Sequence, residues 1–220
     1  MALPDDTLAW LDRWYARCGG ERMIPEAKEE KATVQASSDR FVIDGRSSRF
    51  TVRAYAAGVL SVMAHNPTIG IGEFSGEVKF APEQLNAGGL RVAIKSTSLA
   101  ARGDVSDRDR KEMERIMNQE VLESAKFPEI LYESSLITVS KQGDALYAAS
   151  MDGELSLHGV RRKLPITARV AMQGSTLRAS GEFSMRQSDF GIKLVSVAGG
   201  AIKLKDELTF SFEVAARRQE

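Results

Sequence analysis

Three alternating runs of apolar and polar residues within residues 151–192 constrain the fold more than any other feature of the chain. Because successive side chains of a strand point to opposite faces, each run predicts a strand with one apolar face. The short links at residues 158–163 and 173–175 indicate that the three strands are antiparallel neighbours. The apolar positions are Met151, Gly153, Leu155 and Leu157, then Leu164, Ile166, Ala168, Val170 and Met172, then Leu177, Ala179, Gly181, Phe183 and Met185.

Similar patterns predict further strands and one helix outside this segment. The strands are expected around residues 41–43, 50–54, 69–80, 90–94, 130–139 and 208–214. A slip in the alternation at residues 72–73 predicts a bulge. Ser106 or Asp107 can cap a long helix that carries Met113, Ile116, Met117 and Val121 on one side, and Pro128 is expected to stop it.

Length and charge limit the class of protein. The 220 residues are enough for one all-β domain, and 30 Lys and Arg balance 30 Asp and Glu. A nucleic-acid partner would usually require a basic excess, so none is expected. No apolar run reaches the ~18 residues of a membrane-spanning helix, so we expect no membrane span.

The N-terminal residues differ in character from the rest. Residues 1–37 are expected to form a helical extension with a charged linker, ahead of a β domain at residues 38–216. The first residues lack the basic, apolar and cleavage regions of a secretory signal, so we expect a cytoplasmic protein. The single cysteine, Cys18, excludes an internal disulfide framework.

The strand pattern leaves two architectures open. About eight antiparallel strands need covered edges, which either a closed barrel or a sandwich provides. Small residues at interior positions either leave space for a ligand or merely allow tight packing. These residues are Gly76, Ala148 or Ala149, Gly153, Ala168, Ala179 and Gly181.

No catalytic constellation is visible in the sequence. The two histidines, His65 and His158, lie far apart, and neither has a second metal ligand at strand or helix spacing. The chain has no G-x-S-x-G, P-loop or G-x-G-x-x-G motif. We therefore expect a binding protein rather than an enzyme. Strands with one apolar face and interior Phe, Met and Ala suit a long apolar ligand, since burial of apolar surface yields about 25 cal/mol per Å².

Several segments resemble the YceI-like family, in the family's order. They are FVIDGRSSRFTVRAY, EFSGEVKF, SDRDRKEM, FPEILYESS, GELSLHGVRRKLPI, MRQSDFGI and KDELTFSFEV, which together span about residues 40–215. The resemblance implies an antiparallel lipocalin-like β-barrel with one long helix near its mouth. It also implies a cavity for a polyisoprenoid, such as a quinone or prenyl lipid, with no established enzymatic activity. Many members are periplasmic, whereas for this chain we expect an N-terminal extension and no signal sequence.

If the barrel is formed, its inward positions follow from the alternation. Ser188 and Asp189 are expected to stabilise a turn by hydrogen bonding. The residues expected to line an apolar cavity are Phe50, Val52, Phe74, Val78, Val92, Ile94, Met113, Ile116, Met117, Leu155, Leu157, Ile166, Ala168, Val170, Phe183, Met185, Phe190, Phe210 and Phe212.

The predicted function is therefore binding of an isoprenoid lipid as carrier, store or stress-related sensor. No cofactor other than such a lipid is expected, and a homodimer is a further hypothesis. The first alternative is a filled barrel that recruits a protein partner through Leu8, Trp10, Leu11 and Trp14. The second is a metal-dependent enzyme in which His65 and His158 meet in space.

Overall fold

The computed structural model describes residues 39–57, 66–80, 88–197 and 202–219. The predicted N-terminal extension at residues 1–37 lies outside the described residues. The elements are β1 (Asp39–Ile43), β2 (Arg49–Arg53), β3 (Ala56–Ala57), β4 (Thr68–Ile71), β5 (Phe74–Phe80), β6 (Gly88–Lys95), β7 (Leu99–Arg102), α1 (Asp107–Ile116), β8 (Glu129–Gly143), β9 (Leu146–Leu157), β10 (Val160–Gln173), β11 (Thr176–Arg186), β12 (Ser196–Val197), β13 (Ile202–Leu204) and β14 (Glu207–Arg218).

Eight antiparallel strands form a closed barrel. Their order is β1-β5-β6-β8-β9-β10-β11-β14, and pairing of β14 with β1 closes the ring. Closure removes the free strand edges that an open sheet would expose. The structure thus confirms the predicted barrel and excludes the sandwich.

Three strands of the ring are interrupted near one end of the barrel. One edge of β14 pairs first with β2 and then with β1, β2 pairs with β4, and β4 pairs with β7. The interruptions fall at residues 44–48, 72–73 and 96–98. The feature at residues 72–73 is therefore a break between two strands, rather than the predicted bulge. Beyond these breaks, β2, β4 and β7 extend the wall past the ring.

Helix α1 covers the outer edge of β7. Arg110 Nη1 donates a hydrogen bond to Ala101 O (2.6 Å), and Ala101 N donates one to Glu114 Oε1 (3.2 Å). Side chains of the helix thereby satisfy backbone groups on the outer edge of β7, which would otherwise be free to pair with another strand. The helix also connects β7 to β8, so it lies across the end of the barrel where those two strands separate.

The start of α1 agrees with the sequence, and its end differs. Ser106 is the N-cap, and its hydroxyl accepts a hydrogen bond from Asp109 N (3.1 Å). After Ile116 the helix widens into one π-helical turn at Met117–Val121. It ends well before Pro128, close to Glu123, which adopts a left-handed φ of 44°. A backbone reversal, rather than proline, therefore stops the helix.

The barrel end opposite α1 is filled by its own side chains. Phe41, Phe80 and Ala216 are almost completely buried there, and Tyr147 packs edge-on against Phe80 with ring centroids 5.8 Å apart. This cluster supplies a solid apolar core below the open part of the barrel.

The described strands leave a seam in the wall between β10 and β11. Their pairing runs from Gln173↔Thr176 to Arg169↔Ser180 and stops there, although both strands continue. Pro165 has no N–H to donate and is paired with Asp152 of β9 on its other side. A cleft of about 590 Å³ lies along the unpaired stretch, between residues 162–164 and residues 184–186.

We expect Gly153→Ala to destabilise the barrel by roughly 1–3 kcal/mol, because the new methyl group has no room. A Cβ at this position would overlap the Tyr132 ring and lie 2.7 Å from Glu133 O. Urea unfolding would measure the loss. Gly143→Ala is the matched control, since its nearest neighbour would be Leu146 at 3.8 Å; equal stability of the two variants would contradict this account.

Candidate functional site

The barrel encloses a cavity of about 920 Å³ between the buried core and the α1 end. This volume is near the upper end of the about 300–1,000 Å³ that is common for ligand pockets. Inward-facing residues of the barrel strands form its wall, and Met113, Ile116 and Met117 contribute from α1 and the π-helical turn. The lining is mostly aliphatic and aromatic.

Nearly all the residues expected to line an apolar cavity are found on this wall. Phe74 and Phe190 are the exceptions. Phe74 packs edge-on against Phe50, with ring centroids 4.8 Å apart. Phe190 is buried beside the β10–β11 cleft instead. The predicted residues that line the cavity are Phe50, Val52, Val78, Val92, Ile94, Met113, Ile116, Met117, Leu155, Leu157, Ile166, Ala168, Val170, Phe183, Met185, Phe210 and Phe212.

Other wall residues were not among those expected to line the cavity. Several had already been placed on the apolar faces of the alternating runs, so the strand pattern does identify them as inward. Others come from segments without a clear period, where the sequence carries no signal. The first group includes Met151, Leu164, Leu177 and Ala179, and the second includes Leu99, Leu122, Ile192, Val195 and Leu204.

The small interior residues serve two different purposes. Ala149, Ala168 and Ala179 line the cavity and leave space in it. Ala149, rather than Ala148, is the inward residue of that pair. The glycines instead allow close packing: the Tyr132 ring lies against Gly153, and the Phe212 ring lies against Gly181.

Tyr132 is a buried polar residue of the wall whose hydroxyl is already occupied. The hydroxyl lies 3.0 Å from Leu164 O and 3.3 Å from Met151 O, and its single hydrogen is shared between these two carbonyl acceptors. Burial, with a smaller contribution from the Asp152 carboxylate, raises the pKa of Tyr132 to about 12. The hydroxyl therefore stays protonated at neutral pH and stabilises the wall as a donor.

The mouth of the cavity carries exposed charges of both signs. They lie at the ends of β7 and α1 and on the small antiparallel sheet formed by β3, β12 and β13. These charged residues are Arg102, Asp104, Asp109 and Lys203. Since two cations are balanced by two carboxylates, the mouth has no marked preference for an anion or a cation.

The turn after β11 is tied to the start of β14 by one carboxylate. Asp206 accepts hydrogen bonds from Ser188 N (2.8 Å) and from Ser188 Oγ (2.6 Å). The predicted hydrogen-bonding role of Ser188 is therefore seen, while Asp189 contributes its backbone carbonyl to Arg162. These bonds hold the pKa of Asp206 below its ordinary value of 3.8, and the bond from the Ser188 hydroxyl contributes most to this lowering.

We expect Asp206→Asn to lower stability at pH 7 and to lose that effect in acid. A carboxylate with a depressed folded-state pKa stabilises the fold above the unfolded pKa, and the contribution disappears as pH falls through the folded value. The gap between wild type and variant in urea midpoint should therefore begin to close as pH falls below about 4 and vanish once pH is below the folded-state pKa. A gap that is constant from pH 7 to pH 2 would contradict this. Asp144→Asn, at an exposed turn, is the control.

His158 occupies the β9–β10 turn, with a left-handed φ of 52°. Its ring packs against Phe127, with centroids 4.8 Å apart, and its Nδ1 lies 3.3 Å from Phe190 O. Nε2 lies 3.4 Å from Glu123 Oε1 without a hydrogen bond to any described residue. His65 lies outside the described residues, so the proposed meeting of the two histidines stays a prediction.

The described ranges contain neither a metal-binding cluster nor a membrane-spanning helix. Among these residues, no group of three or more His, Cys, Asp or Glu side chains is placed to hold a metal ion. No helix in this part of the chain combines the length and apolar character needed to cross a membrane.

Residues 41–216 match the family model of the YceI-like domain, and the chain therefore belongs to the YceI-like family. A search of the curated proteins finds no match.

Solved structures share the fold at low sequence identity. BcnA from Burkholderia cenocepacia is 18% identical, with a TM-score of 0.58 over 79% of this chain and 98% of that one. A polyisoprenoid-binding domain from Saccharophagus degradans, implicated in plant cell wall breakdown, is 12% identical, with a TM-score of 0.60 over 83% and 99%. A Campylobacter jejuni YceI protein is 18% identical, with a TM-score of 0.55 over 71% and 88%. At such identities the likeness establishes the fold alone.

Proposed function

We propose that this chain binds a long apolar lipid, an isoprenoid such as a quinone or prenyl lipid, inside its barrel. The observation that carries the proposal is the apolar cavity of about 920 Å³. Burying about 300 Å² of a lipid chain there would yield roughly 7 kcal/mol before ordering costs are subtracted. Binding therefore needs no catalytic or ionic group in the wall.

Two further observations support an isoprenoid in particular. A domain with the same fold is described as polyisoprenoid-binding, and this chain belongs to the same family as the YceI protein. Methionines on the wall, including Met117 and Met151, have flexible side chains that adapt to the branched and irregular surface of a prenyl chain. We propose a carrier, store or sensor role, without catalysis.

Organic extraction of the purified protein, followed by mass spectrometry, tests the proposal. The expected result is about one prenyl lipid per chain from protein made in two unrelated hosts. Protein that is lipid-free from both hosts, and that also fails to take up added prenyl lipid, would overturn it. Recruitment of a protein partner by residues 1–37, a homodimer and the cytoplasmic location stay predictions.

A further inference from the structure

Gln187 is a buried polar residue at the mouth end of the cavity. It opens the short turn Gln187–Phe190 that follows β11, lines the cavity and is only 3% exposed. Leu204 of β13 and Ile192 line the same part of the wall. An amide in such surroundings has lost its contact with bulk water and needs partners inside the protein or in a ligand.

The orientation of this amide follows from its one hydrogen bond. Nε2 lies 3.0 Å from the backbone carbonyl of Lys205. Because a carbonyl can only accept, the amide nitrogen, and not the oxygen, must face Lys205. Within the described part of the chain, no donor reaches Oε1 and no second acceptor reaches Nε2. Oε1 is not among the completely enclosed unpaired atoms, so it keeps some accessible surface. One acceptor and one N–H of this largely buried side chain thus remain available.

The described part of the wall offers no other uncharged side chain that is as deeply buried with free hydrogen-bonding positions. Thr51, Asn66, Thr68 and Ser211 also line the cavity, but they are half-buried or exposed. Among the described residues, Tyr132 and Gln187 are the buried polar side chains that line the cavity, and the Tyr132 hydroxyl is bonded to backbone carbonyls. The charged residues of the mouth are exposed and of both signs. An anionic headgroup would therefore find no buried counter-charge, whereas an uncharged group that both donates and accepts would match the free positions of Gln187.

We propose that Gln187 recognises an uncharged polar headgroup, a hydroxyl or a carboxamide, on the lipid whose chain occupies the cavity. The headgroup donates to Oε1 and accepts from the free N–H of Nε2. This inference rests on the proposed function, and it selects alcohols and amides over diphosphates within the class of apolar lipids.

Competition binding with four probes of one chain length tests this specificity. The probes are a prenyl alcohol, its methyl ether, its diphosphate and the corresponding hydrocarbon. Wild-type protein should bind the alcohol about tenfold more tightly than the hydrocarbon. The ether should lose most of that advantage because it cannot donate, and the diphosphate should bind more weakly than the alcohol.

The variant Gln187→Leu should bind the alcohol about tenfold more weakly and the hydrocarbon as wild type does. Gln142→Leu makes the same substitution at an exposed position of β8 and should change neither affinity. If Gln187→Leu does not fold, the affinities of wild-type protein for the alcohol and for its methyl ether test the inference by themselves.

The possible failures are distinguishable. An unchanged ratio of alcohol to hydrocarbon affinity in Gln187→Leu, an ether equal to the alcohol, or a diphosphate that binds best would each overturn the inference while leaving the proposed function intact. If wild-type protein binds neither the hydrocarbon nor the alcohol, the proposed function itself fails.

Discussion

Ala168→Trp is expected to abolish most lipid binding while the barrel stays folded. Ala168 is buried on β10 and lines the cavity, so the added indole enters space that the wall leaves open. A ligand displaced from about 100 Å² of wall loses roughly 2.5 kcal/mol, which corresponds to nearly a hundredfold in affinity. Fluorescence titration with a prenyl lipid would measure the loss, and circular dichroism would show that the strands persist.

The neighbouring residue supplies the control for this experiment. Thr167 is exposed because adjacent strand residues point to opposite faces. Thr167→Trp adds the same side chain outside the barrel and should leave the affinity unchanged. Wild-type affinity in Ala168→Trp would mean that the ligand binds elsewhere, and equal losses in both variants would point to a general disturbance of β10.

Phe41→Ala is expected to cost about 3–5 kcal/mol of unfolding free energy, the largest stability effect that we predict. The Phe41 ring is 0% exposed in the filled end of the barrel, and the Arg218 guanidinium lies 5.7 Å from its centroid. The ring also belongs to β1, whose pairing with β14 closes the barrel. Its removal would therefore leave a cavity beside the strand pair on which closure depends.

Urea unfolding measured at several wavelengths would test this expectation. Leu146→Ala is the control, because Leu146 is 51% exposed and its loss should cost about 0.5 kcal/mol or less. A change below about 1 kcal/mol in Phe41→Ala would show that the filled end contributes little to stability.

The alternation in residues 151–192 was enough to predict β9, β10 and β11 and which of their faces is apolar. Local pattern could not predict that β14 also pairs with β2 and β1, since that register depends on residues more than 150 positions away. Closure into a barrel therefore came from the family resemblance. The two- and three-residue strands β3, β12 and β13 were missed because they are too short to show a period.

In the candidate site, too, some residues could be predicted from the sequence and others could not. Inward strand residues such as Ile166 and Val170 could be predicted directly from the alternation of apolar and polar residues along β10. Gln187 could not, because its burial and orientation depend on the carbonyl of Lys205, which a separate segment brings to it. Phe190 was misplaced for a related reason: it lies in a short turn rather than in a strand, so no parity rule applies to it.

The seam beside Pro165 has a consequence for hydrogen exchange. In a two-residue hairpin closed at Leu157 and Val160, the backbone amides of β10 point alternately to either side. Those of Arg162 and Leu164 point to β9, while those of Arg161 and Lys163 point to the unpaired side. Amide protons in one continuous strand should therefore alternate between slow and fast exchange, and local opening of the wall should begin at this seam.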